Sequence, residues 1–136
     1  MELGEFLSQT DRVLSNTGDP CDFGCSENAV SEIIKYIKEN LPDYPYCIIS
    51  DWTWVDINLP EEAIEQIEKR GLKPCAIYAN KVIEDEAGRP YENLRTTLLQ
   101  GFHKNCIFQS RNTAYILLRP GTRVLVEYSV FASIFL

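Results

Sequence analysis

The stretch that most limits what this chain can become is Cys106-Ile107-Phe108-Gln109-Ser110-Arg111-Asn112-Thr113-Ala114-Tyr115-Ile116-Leu117-Leu118. Two short runs of aromatic, aliphatic and β-branched residues flank Ser110 to Thr113, four polar residues that favour a turn. The pattern predicts a β-hairpin, and a hairpin commits the region around it to sheet. From Pro74 onward the periodicity is that of strands. Residues 75–79 and 81–85 read as one long or bent strand, 94–99 as another and 124–128 as a further one, with turns at 86–90, 101–105 and 120–121. Residues 130–136 are too apolar to hang in water. They read as a last strand, a short docked helix, or an exposed contact surface through which two copies would associate. The expected class is α+β: an antiparallel meander or small partly closed barrel over about residues 75–136, packed against N-terminal helices.

Before residue 74 the apolar spacing is helical in three places. Leu3, Phe6 and Leu7 mark a short amphipathic helix within residues 2–15, ended by Asn16-Thr17-Gly18-Asp19-Pro20. Residues 21–25 read as loop. A second helix runs from an N-cap at Ser26 to about Asn40, with Ala29, Val30, Ile33, Ile34, Ile37 and Leu41 on one stripe. The third, residues 60–70, carries Pro60 at its first position, Glu61 and Glu62 in its first turn, Lys69 and Arg70 in its last and Gly71 beyond. Between the second and third helices, residues 46–49 and 52–57 are strand-like. Trp52 and Trp54 would share a face of the latter, either as core or as an aromatic contact platform.

With 136 residues, 45% hydrophobic and 24% charged, the chain has the length and composition of one globular domain. No apolar run reaches the roughly 20 residues of a membrane span, and the acidic start does not resemble a signal peptide. Five cysteines at 21, 25, 47, 75 and 106 fit a reducing compartment better than a disulfide framework. A soluble cytoplasmic protein is therefore expected. The net charge of −7 is unevenly spread: −9 over residues 1–73 and +2 over residues 74–136. Such an acidic half disfavours unspecific contact with nucleic acid and favours a protein partner with a basic surface.

The residue inventory supports no assembled enzyme chemistry. One histidine, His103, leaves little for a hydrolytic triad or a two-histidine metal motif. Cys21 with Cys25, and His103 with Cys106, have the spacing of a zinc site that would stabilise the domain. Glu84-Asp85-Glu86 with Asp51 or Asp56 could hold a hard cation. Arg95, Arg111 and Arg123 could form a small nucleic-acid or ligand patch. No glycine-rich phosphate loop is present.

Asp51-Trp52-Thr53-Trp54-Val55-Asp56, Tyr78-Ala79 with Val82-Ile83-Glu84-Asp85 and Gly88-Arg89, Arg95-Thr96-Thr97, and residues 108–118 occur in an order similar to a family of small uncharacterised proteobacterial proteins, some in prophage-like settings. The resemblance covers about residues 50–125 and brings no activity, cofactor or catalytic residue with it. It implies a bacterial or phage accessory protein. Taken with the charge, the expectation is a non-enzymatic acidic protein that antagonises or regulates a basic, nucleic-acid-handling partner, of the toxin-immunity or anti-defence type. Its contact residues would be Asp51, Trp52, Trp54, Asp56, Glu61, Glu65 and Arg111.

Overall fold

The computed structural model describes residues 1–90 and 93–136. In chain order the elements are α1 (Leu3–Leu14), β1 (Asp19–Cys21), a 3-10 turn (Glu27–Ala29), α2 (Val30–Asn40), β2 (Tyr46–Asn58), α3 (Glu61–Lys69), β3 (Cys75–Asp85), β4 (Leu94–Arg95), β5 (Gly101–His103), β6 (Ile107–Gln109), β7 (Ala114–Leu117), β8 (Gly121–Glu127) and α4 (Tyr128–Phe135). The class is α+β, with eight strands among the described residues in one open sheet.

The sheet is assembled on β2, which belongs to the half that reads as helical. β2 has apolar residues on both faces, as a central strand must. One edge runs antiparallel to β3 for most of its length. The other pairs in parallel first with β7, from Tyr46 to Ile49, then with β8, from Thr53 to Asn58. Asp51 takes a left-handed backbone conformation (φ 51°) between those two pairings, so the two expected strands are one, passing through a strained residue. The sheet is thus mixed, with order β1-β8-β2-β7-β6-β5 and β3 and β4 beyond β2, rather than a meander. It stays open but curls: Leu99 donates its N–H to Cys75 of β3 while Gln100 donates to Gln109 of β6. The hairpin at 106–118 forms as β6 and β7. The preceding turn is sharper than expected, with β5 pairing to β6 around Lys104 and Asn105, both left-handed (φ 55° and 60°).

Each face of the sheet has its own core. On one, Cys47, Ile49, Trp52, Trp54, Ile77, Phe108 and Leu117 pack with Phe23, Leu99 and Phe102. On the other, α1 and α4 cover Val55, Ile57, Val124 and Val126, while α2 covers Ile48, Ile107 and Ile116. The apolar C-terminal stretch is therefore a docked helix, with Val130, Phe131 and Ile134 buried. Ser26 precedes the 3-10 turn in extended conformation without a side-chain cap bond, and α2 starts four residues later.

Candidate partner-binding site

Among the four helices, α3 is the one that contributes no buried residue; the others bury Val13, Ile37, and Val130 with Phe131 and Ile134. Its ends are well defined. Pro60, in extended conformation, is the N-cap rather than the first helical residue, and its carbonyl accepts the Ala63 and Ile64 N–H groups. Gly71 (φ 76°) closes the other end. The helix is thus formed by its own boundary signals and the acid-to-base order along it; it leaves Ala63, Ile64 and Ile67 half-buried and its glutamates exposed. Glu68 pairs with Lys73 at 3.2 Å. Glu61, Glu62 and Glu65 have no ion-pair partner among the described residues.

At 3.6 residues per turn, Ala63, Gln66, Ile67 and Arg70 share one side of α3, opposite Glu61, Glu65 and Glu68. That side opens onto apolar space. A cavity of about 410 Å³ lies along it, lined by Leu59, Leu72, Leu98 and Tyr128 as well. A second, of about 290 Å³, extends under α4 to Phe131, Phe135 and Leu136 and shares Leu59, Ile67, Leu98 and Tyr128 with the first. Tyr128 is 52% and Leu136 81% exposed at its margin.

The other expected contact residues are not gathered here. Trp52 and Trp54 are 0% and 4% exposed, which corrects the platform reading: they are core. Trp52 Nε1 donates to the Arg119 carbonyl at 2.9 Å. The Trp54 ring meets Phe23, Phe102 and Phe108 edge-on at 5.1–5.3 Å between centroids. Asp56 is occupied by Arg123, whose Nε and Nη2 donate to it at 2.6 and 3.2 Å. Asp51 is exposed, but it lies seven residues before the end of β2, about 23 Å of strand from α3. Arg111 sits at the tip of the β6–β7 turn, and Ala114 just after it pairs with Tyr46, so this turn lies at the opposite end of β2 from α3. Of the proposed set, Glu61 and Glu65 remain on one displayed element. Sequence reading missed Leu59, Glu62, Leu98 and Tyr128; nothing local marks Leu98 or Tyr128 as neighbours of α3, because Leu98 lies in a non-regular segment and Tyr128 beyond the last strand.

The zinc set does not assemble. Cys21 packs in the core on one face of the sheet, Cys106 in the core on the other with Cys25 against it, and His103 Nε2 is engaged by Gln109 Oε1 at 2.7 Å. No three metal-binding side chains converge among the described residues. All five cysteines are free thiols. The Cys106 thiol is pushed up to about 12 by burial, then by the neighbouring Cys25, to which it donates a hydrogen bond. The cation reading fails for a different reason: four of its five carboxylates, Glu84, Asp85, Glu86 and Asp56, are already engaged. Asp85 is held by Arg89, which also reaches Thr113. Glu84 accepts the Tyr46 hydroxyl, and Glu86 accepts the Tyr46 N–H and pairs with Lys38. The arginine patch is likewise dispersed. Arg95 donates to the Ile134 carbonyl at 2.6 Å beside α4, Arg123 lies over Trp54 on β8, and Arg111 is at the far turn.

No helix among the described residues is long and apolar enough to cross a membrane. No curated protein and no solved structure matches the chain. A family model does match, over residues 22–133: it describes a domain of unknown function (DUF6957), and the chain belongs to that family.

Proposed function

We propose that this chain is a non-enzymatic, cytoplasmic binding protein that presents α3 to a protein partner with a basic surface. The observation that carries the reading is the state of α3. It is the helix with no buried residue, and three of its four glutamates lack a counter-ion among the described residues. A helix that has no fully buried residue, yet concentrates this much charge, is suited to recognition. Unpaired surface carboxylates steer a cationic partner and set the salt dependence of its binding. The wider acidity of residues 1–73 acts in the same direction. The non-enzymatic reading draws support from His103, the chain's one histidine, whose Nε2 is tied to Gln109. A basic protein that handles nucleic acid is the natural counterpart, and antagonism of such a protein, as in toxin immunity or phage anti-defence, is the role that fits a small acidic accessory protein.

The test is retention of proteins from the native host on immobilised wild type and on the E61Q/E62Q/E65Q variant. A discrete basic protein should be held by the wild type at low salt, lost from the variant, and released by about 0.5 M salt, where the screening length falls to a few ångströms. No protein retained at low salt, or equal retention by both forms, refutes the proposal.

A further inference from the structure

We infer that Cys25 and Cys106 are a disulfide-forming pair, oxidised by a low-molecular-weight disulfide and returned to thiols by a reducing pool. Cys25 stands in the loop between β1 and α2, and Cys106 immediately precedes β6, yet the backbone sets them side by side. Leu117 of β7 joins the two: its N–H donates to the Cys106 carbonyl at 2.8 Å, and its carbonyl accepts the Cys25 N–H at 2.9 Å. Next to them, Gly24 donates to the Asn105 carbonyl and Arg119 to the Cys25 carbonyl, each at 2.8 Å. Gly24 permits this approach: its φ is 120°, and an added Cβ would lie 2.4 Å from the Arg119 carbonyl oxygen. The sulfurs meet as well, within the core that α2 covers, the Cys106 thiol donating a hydrogen bond to Cys25. A bond between them therefore needs little movement of the backbone, the condition that most cysteine pairs fail. Cys21, Cys47 and Cys75 belong to the core on the opposite face of the sheet and do not compete.

The two thiols differ in access, and this sets the order of exchange. Cys25 is partly exposed and Cys106 is buried. The Cys25 thiolate attacks one sulfur of the small disulfide and releases one small thiolate, leaving a mixed disulfide. Cys106 gives its proton to that thiolate and attacks the Cys25 sulfur, expelling the second small thiol. Two protein thiols become one protein disulfide while one small disulfide becomes two thiols, so electrons and protons balance. Burial raises the pKa of both cysteines, that of Cys106 to about 12, which makes the exchange slow at neutral pH. The product ties the loop ahead of α2 to the sheet and closes a segment of about 80 residues, which stabilises the fold by restricting the unfolded chain. A reducing compartment keeps the pair as thiols, and such bonds there are transient responses to oxidation.

Full-length protein equilibrated with excess oxidised glutathione at about pH 8.5, where exchange is faster, tests this by intact mass, peptide mapping and urea unfolding. The wild type should lose two hydrogens, and digestion should give the Cys25 and Cys106 peptides joined. Its urea midpoint should rise by about 1–2 M, and dithiothreitol should reverse both changes. C106S should keep one glutathione on Cys25 and show no such rise. C25S should stay unmodified at Cys106, which is buried. A wild type that ends with glutathione on Cys25 and no internal bond overturns the inference, as does a joined pair other than Cys25 with Cys106. So does a midpoint that falls on oxidation, or a bond that forms only in denaturant. The wild-type mapping carries the test even if either variant fails to fold.

Discussion

Trp54→Ala decides whether the tryptophan pair is core or contact surface. Trp54 is 4% exposed, and its ring touches three others, from Phe23, Phe102 and Phe108, with the Arg123 guanidinium 5.4 Å from its centroid. Truncating such a side chain leaves a cavity that neighbouring strands fill only in part, a cost of about 3–5 kcal/mol. A domain of this size has about 5–15 kcal/mol in total, so the variant should fold but with its reserve much reduced. Urea unfolding followed by the fluorescence of Trp52, itself fully buried, measures the change. With a denaturant slope of about 2 kcal/mol/M, the midpoint should fall by about 2 M. Trp54→Phe, which keeps a ring in the cluster, should recover much of that loss. A Trp54→Ala midpoint within about 0.3 M of the wild type, as a surface substitution gives, would refute the packing account.

Gly121→Ala should destabilise by about 1–3 kcal/mol or more, because an added Cβ would lie 2.4 Å from the Trp52 carbonyl oxygen and 2.5 Å from its ring; an unchanged melting temperature would contradict this. Asp85 tests an ion pair by acid. Burial alone would raise its pKa, but hydrogen bonds from Arg89 and from the Ala87 and Arg89 N–H groups outweigh it, and the net shift is downward. Its contribution is therefore present above the unfolded value near pH 4 and is lost as pH falls through the lower folded value. Asp85→Asn should lower the urea midpoint at neutral pH and flatten its decline below about pH 4. Thiol titration of the native protein should find Cys25 the first to react, since the other four cysteines are buried and Cys47, Cys75 and Cys106 are pushed up to about 12, chiefly by burial; all five should react in denaturant.

What the sequence discloses is local. The ends of α3, the alternation in β6 and β7 and the stripe of α2 are each written in a few adjacent residues, and each element forms there, α3 within one residue of the expected ends and α2 from Val30 rather than directly after Ser26. The misreadings are long-range. Residues 46–58 show apolar character on both faces, the mark of a central strand, yet Ser50 and Asp51 look like a break until Asp51 is seen to pass through in left-handed conformation. The parallel pairing of β2 with β7 and β8 joins segments separated by more than 60 residues and leaves no local trace. β1 contains Pro20, tolerable because it lies at the sheet edge against β8, where a ladder donor can be spared. The tryptophans are ambiguous in the sequence for the same reason: the rings that enclose Trp54 come from Phe23 and from the distant β5–β6 hairpin, where Phe102 pairs with Phe108. The candidate site was half legible. Glu61 and Glu65 are evident on the face of a helix; the cleft on the opposite side of that helix exists only once α4 and the 96–98 segment are in place.

The most direct test of the central claim is zero-length carbodiimide cross-linking in an extract of the native host, with the joined positions mapped by mass spectrometry. The expected result is a bond between Glu61, Glu62 or Glu65 and lysines of one basic protein, lost when salt is raised. Cross-links confined to carboxylates elsewhere on the chain, or no protein partner at any salt concentration, would contradict it.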